Sequence, residues 1–403
     1  MSFFQRVPLA PPDPILGLTA AFQSDPRKDK VNLGVGLYKS EDLTTPVLET
    51  VKLAEEFLLK EESSKAYLPI VGEKLYLDQM GDLVFGSEIW GREKGRIANF
   101  QTVGGTGALK VGGTFLKEEA VHPIWISQPT WPNHRGVFSH CGLKVEEYPY
   151  YNKETRSLDF KQIMLCLEKL SPGSIVLLHA ACHNPTGCEP SPSEWNAISD
   201  LLREKKLIPF FDFAYQGFGK GIEEDAAVIR HFAENDLEFL IAVSNAKNFS
   251  LYGERVGCLF IVAKDAKIAD QITSRVKQVI RVIYSNPPMH GAKVVGHILA
   301  TPSLRKKWVA ELDGMRQRIQ NMRQLFVQSL MQRNGPVDFS SLLKGSGMFS
   351  FTGLHKIQVD RLREEYGIYM PSDGRINVSG LTQANIPFVV DAMMAVIEGK
   401  TNA

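Results

Sequence analysis

No stretch of the 403-residue sequence approaches the roughly 18 consecutive apolar residues that a bilayer-spanning helix demands. Excess charge is missing too. The 46 Lys and Arg face 45 Asp and Glu, a formal net of +1, so no global field recruits nucleic acid or an anionic membrane. Cysteine is scarce and odd in number: five in so long a chain do not suggest a disulfide framework. His179, Cys182, His183 and Cys188 sit close together, but their H-x₂-C-H-x₄-C spacing matches no usual zinc pattern, and no metal is expected. The hydrolase signatures G-x-S-x-G and H-E-x-x-H are absent. Internal repeats and low-complexity tracts are absent as well. Met1 to Arg6 lacks the basic n-region, apolar core and small-residue cleavage site of a signal peptide, so a cytoplasmic location is expected.

What remains is an ordinary globular composition, 44% hydrophobic and 23% charged, which excludes disorder for most of the chain. At roughly 150 residues per domain, two or three domains are expected. Pro8, Pro11, Pro12 and Pro14 crowd the N-terminus and predict an extended arm, because prolines this dense cannot make a helix. Short apolar runs then alternate with helical stretches. Pro123 to Ser127, Ile175 to His179, Ile208 to Phe213, Phe239 to Val243 and Val256 to Val262 predict buried strands, and Pro192 to Lys206 predicts a helix. The alternation predicts an α/β fold with a mostly parallel central sheet. Leu304, Trp308, Leu312, Met315, Ile319, Met322, Phe326 and Leu330 recur at spacings of three and four, which predicts a long core-facing helix linking two domains. The last seventy or so residues predict a smaller αβ unit.

In parallel sheets ligands bind beyond the carboxyl ends of strands, so the polar residues that follow these runs are the candidates. Lys247 follows Phe239 to Val243. An isolated lysine there is most often a solvated loop residue. Partly buried, its ammonium is destabilised and its pKa falls, as an amine that attacks a carbonyl to form a Schiff base requires. Asp212 ends the run Ile208-Pro209-Phe210-Phe211. A helix N-cap is the commoner use of such an aspartate, but in so apolar a setting it needs a cation, and a protonated pyridine nitrogen would serve. Tyr215, three residues on, could bond a phenolate oxygen. Asn184, in the turn His183-Asn184-Pro185-Thr186-Gly187, is held in one place by that turn and could bond a cofactor oxygen. Gly104-Gly105-Thr106-Gly107 opens a helix, and glycines at a helix N-terminus form a phosphate cradle. Neither a Walker A loop nor a dinucleotide fingerprint is met, since Lys110 stands at the last glycine and Gln128 where an acid would be wanted. Arg255, Arg281 and Arg375 stand near turn residues; Arg281 and Arg375 suit carboxylates by their planar fork. One cofactor accounts for a phosphate cradle, a Schiff-base lysine, an acid for a pyridinium and a tyrosine for a phenolate: pyridoxal 5′-phosphate (PLP).

With Tyr67-Leu68, Asp212-Phe213-Ala214-Tyr215-Gln216-Gly217, Ser244-x-x-Lys247-Asn248, Glu254-Arg255-Val256-Gly257 and Gly347-Met348-Phe349-Ser350-Phe351, the chain resembles the class I aminotransferases of PLP fold type I, aspartate/aromatic subgroup. The likeness runs from Pro12-Asp13-Pro14-Ile15-Leu16-Gly17-Leu18 to the final helix. It implies an N-terminal arm with part of a small domain over residues 1–45, a large PLP-binding domain over 46–312 and a small C-terminal domain over 313–403. It implies transamination between L-aspartate and 2-oxoglutarate, with aromatic amino acids as the rival substrates. By the same resemblance Lys247 carries the Schiff base and shuttles the proton. Asp212, backed by His134, keeps the ring nitrogen protonated. Asn184 and Tyr215 bond the ring oxygen, and Trp131 stacks on the ring. Gly105, Thr106, Ser244 and Arg255 hold the phosphate, with Tyr67 reaching in from a second subunit. Arg375, Asn184 and the backbone of Gly36 clamp the α-carboxylate, and Arg281 from the second subunit takes the side-chain carboxylate. Shared sites of this kind imply a homodimer. The chain departs from the usual Pro-Ser-Gly-Arg pattern at Pro371-Ser372-Asp373-Gly374-Arg375, where Asp373 either competes for Arg375 or points outward in the turn. Leu37, beside Gly36, fits aromatic-tolerant and aspartate-specific members alike.

Overall fold

Apolar runs too short for helices and rich in Val, Ile and Phe can bury both faces only in the interior of a sheet. The computed structural model, which describes residues 2–9, 16–119 and 122–399, places them there. Seven strands form one sheet in the order Ile97–Val103, Val256–Val262, Phe239–Ser244, Ile208–Phe213, Ile175–His179, Ile124–Gln128 and Val145–Pro149. Val256–Val262 runs antiparallel to both its neighbours, and the other pairings are parallel. Six strands therefore end at one edge of the sheet. The reversed strand begins at that edge, so Arg255 arrives where Gly104, Thr130, Asp212 and Lys247 arrive.

Local chemistry sets the helix boundaries. Pro192–Glu204 starts with Ser191, whose hydroxyl accepts from the Glu194 N–H at 3.3 Å while the Glu194 carboxylate accepts from the Ser191 N–H at 2.7 Å, with proline at the first turn. The predicted long helix spans Pro302–Gln332 and passes through position 312, where the large domain is expected to end. Trp308 on it is fully buried, stacks on Phe249 at 4.4 Å and donates Nε1–H to the Asn248 carbonyl at 2.8 Å. Burial of such a ring stabilises by about 3–5 kcal/mol, judged by its removal, and here it also anchors the segment that follows Lys247.

Two short ribbons lie outside the main sheet. Val31–Asn32 pairs in parallel with Ile368–Tyr369, and Phe349–Phe351 pairs antiparallel with Arg375–Asn377. The segment near residue 32 is thereby joined to the C-terminal part of the chain. Of the proline-rich arm only Pro8 is described; it follows a short 3₁₀ turn, Phe3–Arg6, and lies in neither helix nor strand. Pro11, Pro12 and Pro14 lie outside the described residues. Among the described residues no helix is long and apolar enough to cross a membrane.

Candidate active site

Strand Ile97–Val103 passes directly into helix Gly104–Glu119, so the free N–H groups of its first turn face the carboxyl edge of the sheet. The glycines are there for space. Gly104 has φ +67°, and a Cβ on it would lie 2.7 Å from the Arg255 guanidinium. A Cβ on Gly105 would lie 2.9 Å from Ser244 Cβ, and one on Gly257 would lie 2.6 Å from the backbone of Gly104. Ser244 and Arg255 are thus packed against the first turn of the helix, which carries Gly105 and Thr106, and together these residues offer amides, hydroxyls and a guanidinium, the donor set an anion requires.

Beside this cradle stands Lys247, half-buried, its Nζ 4.8 Å from the centre of the Tyr215 ring. Burial lowers its pKa and Arg255 lowers it further, while Asp212 opposes them. The amine is thus pushed toward its neutral, nucleophilic form. Asp212, 8% exposed, accepts a hydrogen bond from His134 Nε2 at 2.9 Å. Burial pushes the Asp212 carboxyl up, but the His134 bond and the attraction of the Lys247 ammonium outweigh it and hold the group ionised. The bond is the end of a chain. The Asn184 N–H donates to His179 Nδ1 at 3.3 Å, so the His179 proton sits on Nε2, 3.2 Å from Thr130 Oγ1. The Thr130 hydroxyl can then donate to His134 Nδ1 at 2.8 Å, which leaves the His134 proton on Nε2 facing Asp212. Burial drives the His179 pKa down to about 3, so this ring stays neutral. His183 is likewise taken up by hydrogen bonds, to Ser127 and Thr186 at 2.9 and 2.8 Å.

Asn184 Nδ2 lies 3.4 Å from the Tyr215 hydroxyl, so the two predicted ring-oxygen partners are adjacent. Burial, with Asp212 adding to it, raises the Tyr215 pKa and keeps this hydroxyl a donor. Trp131 is half-buried and meets His134 edge-on at 5.2 Å. Arg375 is 2% exposed. Its Nη2 donates to the Gly34 carbonyl at 2.5 Å, its Nη1 to Asn184 Oδ1 at 3.3 Å, and its plane lies 4.5 Å over Phe349. Its Nε is buried with no partner, and among the described residues no carboxylate pairs with it. Burial lowers its pKa. A buried guanidinium without a counter-charge costs several kcal/mol, a deficit that a bound anion removes. Asp373 does not supply that anion: it is exposed, and its Oδ1 accepts from the Arg375 backbone N–H at 3.0 Å. The outward-turned alternative is therefore the one observed. Half-buried Gly36 lies near, a Cβ on it reaching Phe349 at 3.4 Å.

Two predicted residues are not brought to this cluster within the single chain. Tyr67 is 93% exposed. Arg281, on the last turn of helix Ala266–Ile283, is exposed and bonds Ser285 Oγ. Sequence reasoning also missed three contributors: Thr130 as the link between two histidines, Phe349 as the surface under Arg375, and Asn377, which grips the segment carrying Gly36. Only Phe349 had a signal, its place in the Gly347–Phe351 motif.

The family model for aminotransferases of class I and II matches residues 28–393, and the chain belongs to that family. Within it, the chain is 48% identical over 397 residues to the aspartate aminotransferases of Salmonella typhi and Escherichia coli (strain K12), covering 98% of this chain and 100% of each relative. A solved aromatic-amino-acid aminotransferase from Burkholderia pseudomallei, covalently bound to pyridoxal phosphate, superposes with a TM-score of 0.95 at 44% identity, covering 98% of this chain and 100% of that one. The residues present fit such a cofactor. Gly104, Gly105 and Gly257, none with room for a Cβ, let the start of the helix close against Arg255 and Ser244, and an amine of lowered pKa, an ionised acid and a phenol stand next to it.

Proposed function

We propose that the protein is a PLP-dependent aspartate aminotransferase, exchanging the amino group of L-aspartate with 2-oxoglutarate to give oxaloacetate and L-glutamate. One observation carries the reading beyond the family: Arg375 is buried without a carboxylate, beside the Asn184–Tyr215 pair, and an amino acid brings the α-carboxylate it lacks. Gly105, Thr106, Ser244 and Arg255 hold the cofactor phosphate, Trp131 covers the ring, and Asn184 and Tyr215 bond its oxygen. When bound, PLP supplies an aldehyde that condenses with amines and a ring that withdraws electrons from the substrate Cα. Asp212 stays ionised and holds a proton at the ring nitrogen, and His134 fixes the carboxylate in place. Arg375, Asn184 and the Gly36 N–H orient the substrate through its α-carboxylate. That orientation decides which bond of Cα is exposed to Lys247. Lys247 Nζ, whose basicity burial lowers, accepts and returns the Cα proton.

Leu37 supports a second reading, activity on aromatic amino acids, because a half-buried apolar side chain beside Gly36 suits an aromatic substituent as well as a carboxymethyl one. The protein acts as a cytoplasmic homodimer, with the partner subunit's Tyr67 on the phosphate and the partner subunit's Arg281 on the second carboxylate. Exposed Leu59, Tyr67 and Val282, at 85, 93 and 87%, are apolar surface that a second copy would cover. Five unpaired cysteines accord with a reducing compartment. Residues 1–45, 46–312 and 313–403 serve as arm with part of the small domain, large domain and small domain. The test is oxaloacetate release from L-aspartate and 2-oxoglutarate by the PLP-loaded protein, with L-phenylalanine as rival donor. Lys247→Ala is expected to abolish turnover; a Lys247→Ala protein as fast as wild type overturns the assignment.

A further inference from the structure

We propose that Asn377 is a positioning residue: its amide, oriented by Ser379, pinches the backbone between Val35 and Leu37 so that the Gly36 N–H is presented to the carboxylate held by Arg375. The inference rests on the aminotransferase reading and adds the device that sets its α-carboxylate site.

The segment Leu33 to Tyr38 has no regular structure, yet its carbonyls are almost all engaged. Leu33 accepts from the Asn377 N–H at 2.7 Å and Gly34 from Arg375 at 2.5 Å. Asn377 Nδ2 donates both its hydrogens here, to the Val35 carbonyl at 2.6 Å and the Leu37 carbonyl at 2.7 Å. Tyr38 accepts from Thr45 Oγ1 at 3.1 Å and gives its N–H to the Tyr252 hydroxyl at 2.8 Å. Among the described residues Gly36 bonds through neither its N–H nor its carbonyl, although the carbonyls on both sides of it are tied down. With the carbonyls on both sides fixed, the Gly36 N–H is held in one place and free to be given to a ligand. Its neighbours fit that use, since both Gly36 and the Arg375 guanidinium lie against the Phe349 ring.

The amide orientation is not arbitrary. Asn377 Oδ1 accepts from the Ser379 N–H at 3.0 Å and lies 2.8 Å from the Ser379 hydroxyl, which is also 3.0 Å from the Leu37 carbonyl. With its oxygen committed to Ser379, the nitrogen must face the two carbonyls. Aspartate has the same shape but would set an acceptor against two acceptors, so Asn377→Asp breaks the pinch without removing volume.

The PLP-loaded Asn377→Asp and Ser379→Ala proteins are compared with wild type. Hydrogen exchange by mass spectrometry over residues 33–38 reads the staple directly, without reference to activity. Faster exchange confined to that segment is expected in Asn377→Asp, and a smaller increase in Ser379→Ala. Steady-state kinetics should give a KM for L-aspartate and for 2-oxoglutarate raised at least about tenfold in Asn377→Asp, with kcat within about threefold, the signature of lost ground-state binding. A merely structural residue would lower kcat through a smaller active fraction and leave KM unchanged. Unchanged exchange, or KM within about twofold of wild type in a folded variant, overturns the proposal. If Asn377→Asp does not fold, Ser379→Ala decides by the same two readouts. A wild-type protein that does not transaminate sinks the function reading, while the exchange measurement still judges the staple.

Discussion

Replacing Arg375 by lysine keeps the charge and removes the fork. Of the five N–H groups of a guanidinium, two are engaged in the chain, with Gly34 and Asn184, and three remain, including the buried unpartnered Nε. A carboxylate bound there takes a bidentate pair of charge-assisted bonds. The lysine ammonium offers one strong bond from a flexible stem and cannot at the same time hold the Gly34 carbonyl in the arginine geometry. The loss is thus about one charge-assisted hydrogen bond, roughly 1.5–3 kcal/mol, which is about a 10- to 150-fold rise in KM. Two changes add to it. The flat stacking on Phe349 at 4.5 Å is lost, and the Gly34 segment is loosened. The assay is initial-rate kinetics of the PLP-loaded variant with L-aspartate, alongside binding of a non-reacting dicarboxylate followed by the cofactor absorbance. Both should weaken together, because the effect lies in carboxylate binding. The reasoning is refuted if Arg375→Lys binds the dicarboxylate within about twofold of wild type. It is equally refuted if an amine without an α-carboxylate loses as much rate as aspartate does.

Gly257→Ala would set a methyl group 2.6 Å from the backbone of Gly104 and push the phosphate cradle open. Its dissociation constant for PLP, read by titration, should rise about tenfold or more, and an unchanged constant would show that the glycines do not shape the cradle. His179 is held neutral with a pKa near 3, whereas an unfolded histidine titrates near 6.5, so between these values the unfolded chain binds a proton that the native one does not. Stability therefore falls as pH drops through that window, by about 2–3 kcal/mol at pH 4.5, and His179→Gln should lose correspondingly less between pH 7 and 4.5 in urea unfolding. An unaltered pH dependence in that variant rules out His179 as the source. In a two-fold dimer whose sites are shared, mixing unfolded Lys247→Ala and Arg281→Ala chains and refolding them regenerates one intact site per hybrid, about a quarter of all sites. Activity that stays at the level of the two parents would place Arg281 outside the partner's site.

Strands were legible because burial on both faces leaves a continuous apolar run, as in Ile175–His179 and Phe239–Ser244, and the chemistry follows those runs at their carboxyl ends. Lys247, Asp212 and the Gly104–Gly107 turn could be found for that reason. The chain Asp212–His134–Thr130–His179 could not be traced whole. Asp212, His179 and Thr130 come from three strand ends and His134 from the helix Asn133–His140, brought together by the parallel register of the sheet, in which His179 stands opposite Asp212. Asn377 was hidden for a similar cause: a three-residue strand has too little periodicity to betray itself, and its amide acts on carbonyls 340 and 342 residues away in sequence. Asp373 marks the boundary between the two kinds of inference. By charge alone, a carboxylate two residues before a substrate-binding arginine is a competitor for its guanidinium. Turn chemistry decides otherwise, because Gly374 takes φ +82° and the Asp373 carboxylate bonds the backbone N–H two residues on. That geometry spends the carboxylate on the backbone and leaves the Arg375 Nε free, so the departure from the family pattern supports the site it first threatened.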